Sequence, residues 1–211
     1  IDPIQLGRIL NNLREKGVNN VIMEASSHGL EQNRLDGLLF NLGIFTNFSQ
    51  DHLDYHKNLD TYLKAKLYLF KNLIKKKGHI ITDEKIPEFI KIKRISLNQS
   101  LKLHKINSKG SFKILSHYYQ DEAQIIKIQL KNLIKTIKLN LIGKIQLNNI
   151  LMAIIAAKKS NLSLDRIFEI IPKIRSVEGR FEKIGKIKNN SKVILDYAHT
   201  PEALKTCILN L

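Results

Sequence analysis

The sequence predicts an α/β fold: a mostly parallel sheet flanked by helices, an antiparallel β section, and the start of a second domain. Over residues 1–82, helical spacing of apolar residues alternates with short apolar runs, which is typical of parallel strands joined by helices. Residues 90–142 change to short alternating runs, which indicate antiparallel strands with one solvated face. After residue 178 the pattern restarts with a hairpin and a helix. We therefore expect two domains, at 1–178 and 179–211.

The elements of the first half follow from their boundary residues. Asp2 and Pro3 are typical of a helix N-cap and a first helical position, and the apolar periodicity that they open ends at Gly17. Two short, β-rich apolar runs each end in polar residues, as strands do in an open α/β sheet. Three lysines and Gly78 close a long periodic segment, which predicts a helix. The predicted elements are a helix at 3–17, strands at 18–25 and 39–47, a helix at 60–77 and a strand at 79–82.

The second half has boundary residues of the same kind. Gly143 precedes an apolar periodic segment, and Ser163 and Pro172 are residue types that begin and stop a helix. The predicted elements are antiparallel strands within 90–142, helices at 147–159 and 163–171, a hairpin of 181–188 with 192–197, and a helix from 201.

Composition excludes several classes of protein. The 211 residues are 43% hydrophobic, which is enough to bury one substantial core. A single cysteine, Cys207, excludes a disulfide framework, and no Cys/His spacing is typical of a zinc site. No apolar run approaches the roughly 20 residues that span a bilayer. We expect a cytoplasmic protein without a membrane span.

The net charge of +16 raises the question of a nucleic-acid partner. The excess lies mainly in residues 71–150, which carry 17 Lys/Arg against 5 Asp/Glu, and the chain has 28 Lys against 7 Arg. Nucleic-acid readers favour Arg and stacking aromatic residues, and neither is enriched here. We therefore interpret the charge as a solvated lysine surface and expect no nucleic-acid partner. A basic nucleic-acid-binding module is the alternative from a different functional class.

Four segments are polar where strand ends or helix caps are expected. Glu24 lies at the carboxyl end of a predicted strand, at the edge of the sheet where ligand sites form. His52, Asp54 and His56 follow the next strand, and carboxylates and imidazoles are ligands for divalent metals. Each observation alone also fits turn chemistry, and Lys66 also fits a lysine whose stem lies along apolar surface. The segments are 23–34, 45–56, 62–70, and 179–182 with 196–201.

In order and spacing, these segments resemble the Mur ligase family of peptidoglycan synthesis, in the branch that adds the third amino acid. The motifs are Met-Glu-Ala-Ser-Ser-His-Gly-Leu-Glu-Gln-Asn-Arg at 23–34, Phe-Thr-Asn-Phe-Ser-Gln-Asp-His-Leu-Asp-Tyr-His at 45–56, Tyr-Leu-Lys-Ala-Lys-Leu-Tyr-Leu-Phe at 62–70, Gly-Lys-Ile-Gln-Leu-Asn-Asn at 143–149, Gly-Arg-Phe-Glu at 179–182 and Asp-Tyr-Ala-His-Thr-Pro at 196–201. Six motifs in one order are highly specific, because chance agreement at even two of the longer ones is improbable. The resemblance is weakest over 79–140.

The resemblance implies an ATP-dependent amide ligase of cell-wall biogenesis. Such enzymes phosphorylate a substrate carboxylate with ATP, and an incoming amino group then attacks the acyl phosphate. The implied reaction adds meso-diaminopimelate or L-lysine to UDP-N-acetylmuramoyl-L-Ala-D-Glu (UDP-MurNAc-dipeptide), with ATP and Mg²⁺ as cofactors, in a monomer. The implied fold is a P-loop-type central domain followed by the start of a Rossmann-like C-terminal domain. Another Mur ligase or a folylpolyglutamate synthetase is the alternative within the superfamily.

The resemblance also implies roles by position. The family's Mg²⁺ ligands fall on Glu24, His52 and Lys66, the last after reaction with CO₂ to a carbamate, which requires a neutral amine. The family's positions for UDP-MurNAc-dipeptide fall on Ser26, Gln32 and Arg34. Its positions for ATP fall on Asn149, Arg180, Asp196 and His199.

The family's phosphate-binding loop has no match in the chain and is expected upstream of Ile1. Most of the domain that selects the incoming amino acid is expected beyond Leu211. We therefore predict that the chain alone neither hydrolyses ATP nor forms the amide, and measurable ligation by the purified 211-residue chain would contradict this. A catalytically inactive scaffold is a further alternative.

Overall fold

The computed structural model describes residues 2–51, 53–107, 112–130 and 132–211. It confirms the predicted α/β class, with a parallel sheet and separate antiparallel sheets. Three strands form the first sheet in the order β1-β2-β3, three form the second in the order β4-β5-β6, and β7 pairs with β8.

The helices are α1 (Pro3–Glu15), α2 (Ser27–Glu31), α3 (Leu53–His56), α4 (Leu59–Tyr68), α5 (Phe89–Asn98), α6 (Lys144–Lys159), α7 (Leu164–Ile170) and α8 (Pro201–Leu209). The strands are β1 (Phe40–Phe45), β2 (Ile74–Asp83), β3 (Lys102–Ile106), β4 (Phe112–Gln120), β5 (Ala123–Leu130), β6 (Leu133–Leu139), β7 (Glu182–Lys186) and β8 (Lys192–Leu195). None of the helices in the described ranges has the length and apolar character needed to cross a bilayer.

The chain divides into two compact units. The first contains Ile1–Gly43, His52–Ile80 and Ile90–Leu103, and the second contains Ile44–Asp51, Ile81–Phe89 and His104–Leu211.

In the first unit, side-chain caps fix where the helices begin. The Asp2 carboxylate accepts hydrogen bonds from the backbone N–H groups of Ile4 (2.9 Å) and Gln5 (3.1 Å), as predicted for the start of α1. Asn58 accepts from the N–H of Thr61 at 2.9 Å and so begins α4. Apart from the exposed Leu59, the aliphatic side chains of α4 and of the turn that follows it are buried, so this helix contributes to the unit's core.

In the second unit, β5 is the central strand of the antiparallel sheet. Ile126 and Ile128 are each 1% exposed, and Ile126 lies opposite His117 on one side and Ile137 on the other. Helix α6 buries Leu147, Leu151 and other members of its apolar stripe, as its periodicity predicts. The predicted hairpin is confirmed, because β7 and β8 pair in antiparallel register.

The predicted helix at 60–77 is wrong at its end. Regular α4 stops at Tyr68, one π-helical turn covers Leu69–Leu73, and β2 begins at Ile74. Lys77 has φ +61°, which no helix interior allows. A Cβ on Gly78 would lie 3.0 Å from the carbonyl oxygen of Asn41, so the glycine permits a close approach of backbone. Pairing within the sheet therefore overrides the local helical pattern of the lysines.

The predicted strand at 18–25 is absent. Residues 18–26 form no regular element, and Val18, Val21 and Ile22 are 41%, 49% and 98% exposed. Among the described strands, only β2 neighbours β1, and none pairs with this segment. A β-rich composition makes a strand only when another strand supplies hydrogen bonds to its backbone.

The prediction for 90–142 is correct in part. Strands β4, β5 and β6 are antiparallel, as expected. The first residues instead form α5, and β3 belongs to the parallel sheet. Ile92 and Ile95 lie in the range predicted as strands, but they are three apart and both buried, which is helical spacing. The short apolar pattern at this point was compatible with either element.

Candidate active site

The segment at 23–34 presents four predicted site residues on the two sides of α2, whose own residues Ser27, Gly29 and Leu30 are buried. Ser26 is the N-cap of α2, and its Oγ accepts from the N–H of Gly29 at 3.2 Å. Helix α2 ends after one turn, and the N–H of Arg34 donates to the carbonyl oxygen of Gly29 at 2.8 Å. The side chains of Glu24, Ser26, Gln32 and Arg34 are all exposed. The segment therefore offers a carboxylate, a hydroxyl, an amide and a guanidinium to a ligand.

The α3 helix anchors this segment. The Gln32 amide donates to the Tyr55 hydroxyl at 2.9 Å, and the His28 ring lies 4.1 Å from the Tyr55 ring. His56 is 2% exposed, and its Nε2 lies 2.9 Å from the Ser27 Oγ. Of the two motif residues that follow His52, His56 is therefore a buried structural contact, whereas Asp54 is exposed.

Lys66 lies on α4 between buried neighbours. Ala65 and Leu67 are buried and Lys66 is half-buried, with its Nζ 5.3 Å from the centroid of the Tyr62 ring. A cation at this distance from a ring face is attracted to it. The side chain therefore has a defined environment, unlike the exposed Lys64 two residues earlier.

Part of the metal site that the resemblance implies lies within the described residues. Glu24 is exposed and makes no hydrogen bond or ion pair within the described ranges, so its carboxylate is available to a hard cation that keeps some of its waters. His52 lies outside the described residues. In the part of the chain that the structure describes, no three His, Cys, Asp or Glu side chains are grouped to hold a metal. The Glu24 carboxylate therefore fits one ligand of a Mg²⁺ ion whose other ligands come from other groups.

The predicted ATP residues lie in the second unit, and two of them, Arg180 and His199, lie beside the Tyr197 ring. The Arg180 guanidinium lies 5.1 Å from the centroid of the Tyr197 ring, and the His199 ring lies 4.9 Å from the same ring. His199 Nδ1 donates to the carbonyl oxygen of Tyr197 at 3.0 Å. Asn149 is exposed on α6, and Gln146 of the same helix donates to the Arg180 carbonyl oxygen at 3.3 Å. Helix α6 is therefore connected to the loop that carries Arg180.

Asp196 uses both carboxylate oxygens on the backbone. One oxygen accepts from the N–H of Phe181 at 3.0 Å, and the other accepts from the N–H of Ala198 at 2.9 Å. Phe181 has φ +48° and is 6% exposed, so its strained backbone is held by this contact. The structure thus gives Asp196 a supporting role, and contact with ATP stays a prediction.

Asp83 is a polar centre that the sequence analysis did not select. It is 5% exposed at the end of β2 and accepts from the N–H of Lys85 (2.9 Å), Asn107 Nδ2 (2.9 Å) and Asn148 Nδ2 (3.3 Å). Asn148 precedes Asn149 on α6, so Asp83 holds the start of the helix that carries a predicted adenine contact. The sequence carried a signal for this residue, because Asp83 directly follows the strand predicted at 79–82 and ligand sites form at such strand ends.

A second charged cluster surrounds Glu122, in the turn between β4 and β5. The Glu122 carboxylate accepts hydrogen bonds from Lys183 and Lys186. These bonds lower the pKa of Glu122 to about 2, and the bond from Lys183 has the larger effect. Cavities of about 230 and 510 Å³ adjoin this carboxylate, and their linings share Asp121, Ile142 and Lys192. The smaller cavity is also lined by Phe181 of the 179–182 motif, but neither lining includes a predicted site residue.

Comparison with known families and structures identifies the class to which this fold and these residues belong. Residues 1–157 match the Mur ligase middle domain. The chain belongs to the Mur ligase family.

Individual relatives show which members of the family the chain is similar to. The chain is 34% identical over 211 residues to the UDP-N-acetylmuramoyl-L-alanyl-D-glutamate–2,6-diaminopimelate ligase of Rickettsia montanensis, and covers 100% of its own length and 43% of the relative. A solved structure of a ligase of that name superimposes with a TM-score of 0.83 at 27% identity, again over 100% of this chain and 43% of the other. An FPGS–AMPPCP–folate complex matches with a TM-score of 0.66 at 16% identity, over 83% of this chain and 42% of the other, which shows similarity of fold alone. The chain therefore spans less than half the length of these relatives.

Proposed function

We propose that this chain is the central part of an ATP-dependent ligase that joins meso-diaminopimelate to UDP-MurNAc-dipeptide. One observation carries the proposal: the identity of 34% extends over all 211 residues to a relative named for that reaction. The six motifs, in order, support it. The choice of diaminopimelate over L-lysine rests on the relative's name.

In the proposed reaction, an oxygen of the substrate carboxylate attacks the γ-phosphorus of ATP, and ADP leaves. The amine of the diamino acid then attacks the acyl carbon, loses a proton, and displaces inorganic phosphate. ATP supplies the phosphoryl group, and Mg²⁺ supplies positive charge beside it. The protein's own contribution is orientation and charge stabilisation.

Residues of the first unit would hold the UDP-MurNAc-dipeptide. Arg34 suits a carboxylate or phosphate group, because a guanidinium donates two parallel hydrogen bonds. Ser26 and Gln32 add neutral donors on the same exposed segment. Glu24 would contribute one ligand to Mg²⁺, with His52 and the carbamate of Lys66 as the others.

The proposed Lys66 carbamate forms when the neutral amine attacks CO₂ and loses a proton. The side chain then changes from one positive to one negative charge. An anion at this position would hold a cation near the phosphates, whereas an ammonium would repel it. The half-buried position of Lys66 between Ala65 and Leu67 supports this role, because it gives the side chain a defined place on α4.

Residues of the second unit would contact ATP. Arg180 would approach the phosphates, Asn149 would face the adenine, and Asp196 and His199 would line the nucleotide side. Support comes from the shared Tyr197 ring, which orders the side chains of Arg180 and His199. We further propose that the intact protein works in the cytoplasm as a monomer and binds small molecules alone.

Substrate-dependent ADP release tests the proposal. We expect the full-length protein, with ATP and Mg²⁺, to release ADP only when UDP-MurNAc-dipeptide and meso-diaminopimelate are both present. L-Lysine in place of meso-diaminopimelate is expected to give much slower release. Release driven instead by folate and glutamate would support the folylpolyglutamate synthetase alternative and contradict the proposal.

A further inference from the structure

We propose that His56 is a positioning residue: through Ser27 and Glu31 it holds the 26–34 segment in the conformation that binds UDP-MurNAc-dipeptide. The inference rests on the proposed function and assigns a role to three residues that contact no substrate. We call the contacts of His56 with Ser27 and Glu31 the His56 clasp.

The His56 clasp contacts both ends of α2. Nε2 of His56 lies 2.9 Å from the Oγ of Ser27, and Nδ1 lies 3.0 Å from Oε2 of Glu31. Ser27 and Glu31 are the first and last residues of α2 and stand four apart, so their side chains share one face of the helix. A single five-residue turn is not stable in water by itself. The imidazole therefore supplies stabilisation that the helix lacks.

Burial decides what this arrangement does. The order Ser–His–Glu has the connectivity of a hydrolytic triad, in which a serine attacks an acyl group. Ser27 is 3% exposed and His56 is 2% exposed, so no acyl group reaches the Ser27 oxygen. The same burial excludes water that would compete for the contact between His56 and Ser27, whereas the Glu31 side chain is 44% exposed. The geometry therefore serves to hold structure and does not serve nucleophilic attack.

The residues that the clasp holds are the predicted ligand contacts. Ser26 directly precedes Ser27 and Gln32 directly follows Glu31, so each is adjacent to a residue that His56 contacts. Gln32 also donates to Tyr55, the neighbour of His56. A shift of α2 would therefore displace both side chains, and Arg34 with them, because the N–H of Arg34 bonds to the carbonyl oxygen of Gly29 within α2.

The clasp also connects this segment to the helix that carries Lys66. The His56 ring stacks on the Tyr62 ring at 5.1 Å with an interplanar angle of 28°. The same Tyr62 ring has the Nζ of Lys66 5.3 Å from its centroid. The Thr61 hydroxyl donates to the carbonyl oxygen of His56. One imidazole thus fixes the distance between the substrate segment and α4.

The test measures the KM values for UDP-MurNAc-dipeptide and for ATP in the full-length protein carrying Glu31→Gln or Ser27→Ala. We expect the KM for UDP-MurNAc-dipeptide to rise about tenfold while the KM for ATP changes less than about twofold. Glu15→Gln is the matched control, because it removes the same charge from the exposed end of α1. The direction of the change in KM is informative for Glu31→Gln. Loss of a negative charge would by itself strengthen binding of an anionic substrate, so weaker binding by this variant indicates lost positioning.

His56→Gln and His56→Ala supply a second readout. The Gln amide reaches the position of Nε2 and keeps the contact with Ser27, so we expect its KM for UDP-MurNAc-dipeptide to lie nearer the wild-type value than that of His56→Ala. Unchanged constants in Glu31→Gln and Ser27→Ala would overturn the proposal, as would equal rises in both KM values together with a lower Tm. If the wild-type protein does not bind UDP-MurNAc-dipeptide in calorimetry, the proposed function itself fails, and this inference fails with it.

Discussion

Replacing Lys66 with alanine is expected to lower kcat/KM for ligation by about 10³-fold, because the variant cannot form the proposed carbamate that holds positive charge beside the transferring phosphoryl group. The wild-type protein should also show a carbamate resonance in ¹³C NMR after addition of ¹³C-bicarbonate, and Lys66→Ala should lack it. Steady-state ligation rates and that resonance are the two measurements.

Lys64→Ala is the control for Lys66→Ala. Lys64 lies on the same helix, two residues earlier, and is exposed, whereas Lys66 is half-buried. We expect Lys64→Ala to retain ligation within about twofold, as surface charges far from reacting atoms usually do. A folded Lys66→Ala variant with near wild-type activity would show that this lysine plays no part in the reaction.

Replacing Asp196 with alanine is expected to destabilise the β7–β8 hairpin by about 3 kcal/mol, because two backbone N–H groups lose a charged acceptor. The two bonds, from Phe181 at 3.0 Å and from Ala198 at 2.9 Å, connect one end of the hairpin to the start of the loop before α8. Native-state hydrogen exchange measures the effect directly. Opening of β7 and β8 should become about 10²-fold more frequent.

Two controls separate this supporting role from contact with ATP. Asp165→Ala removes an exposed carboxylate from the first turn of α7 and should cost less than about 1 kcal/mol. Asp196→Asn keeps one acceptor oxygen and should fall between wild type and Asp196→Ala. If exchange in the hairpin is unchanged while the KM for ATP rises, then Asp196 acts as a nucleotide contact and not as a backbone support.

Elements with local boundary signals were predicted well from the sequence. Asp2 caps α1, Ser163 caps α7 and Thr200 caps α8, each through a side-chain oxygen that accepts from an N–H two or three residues later. Such contacts lie within a few residues, so the residue types and their spacing are enough to predict them.

The errors at 18–25 and 60–77 both concern strands. A strand's hydrogen bonds go to another strand, and the sequence shows the apolar character of a segment without showing which partner it has. Ile74 became part of β2 because a neighbouring strand was available, and Val21 did not become part of a strand because none of the described strands pairs with it. Tertiary pairing therefore decided both segments.

The same division applies to the candidate site. By itself, the sequence determined the family, the order of the motifs and the residues that share each motif, because residue type and spacing are properties of the chain. Only the tertiary structure decided that His56 is buried against Ser27, that Asp196 uses both oxygens on backbone N–H groups, and that Asp83 holds α6. Burial and hydrogen-bond partners depend on atoms that are distant in the chain and adjacent in space, so no local pattern contains them.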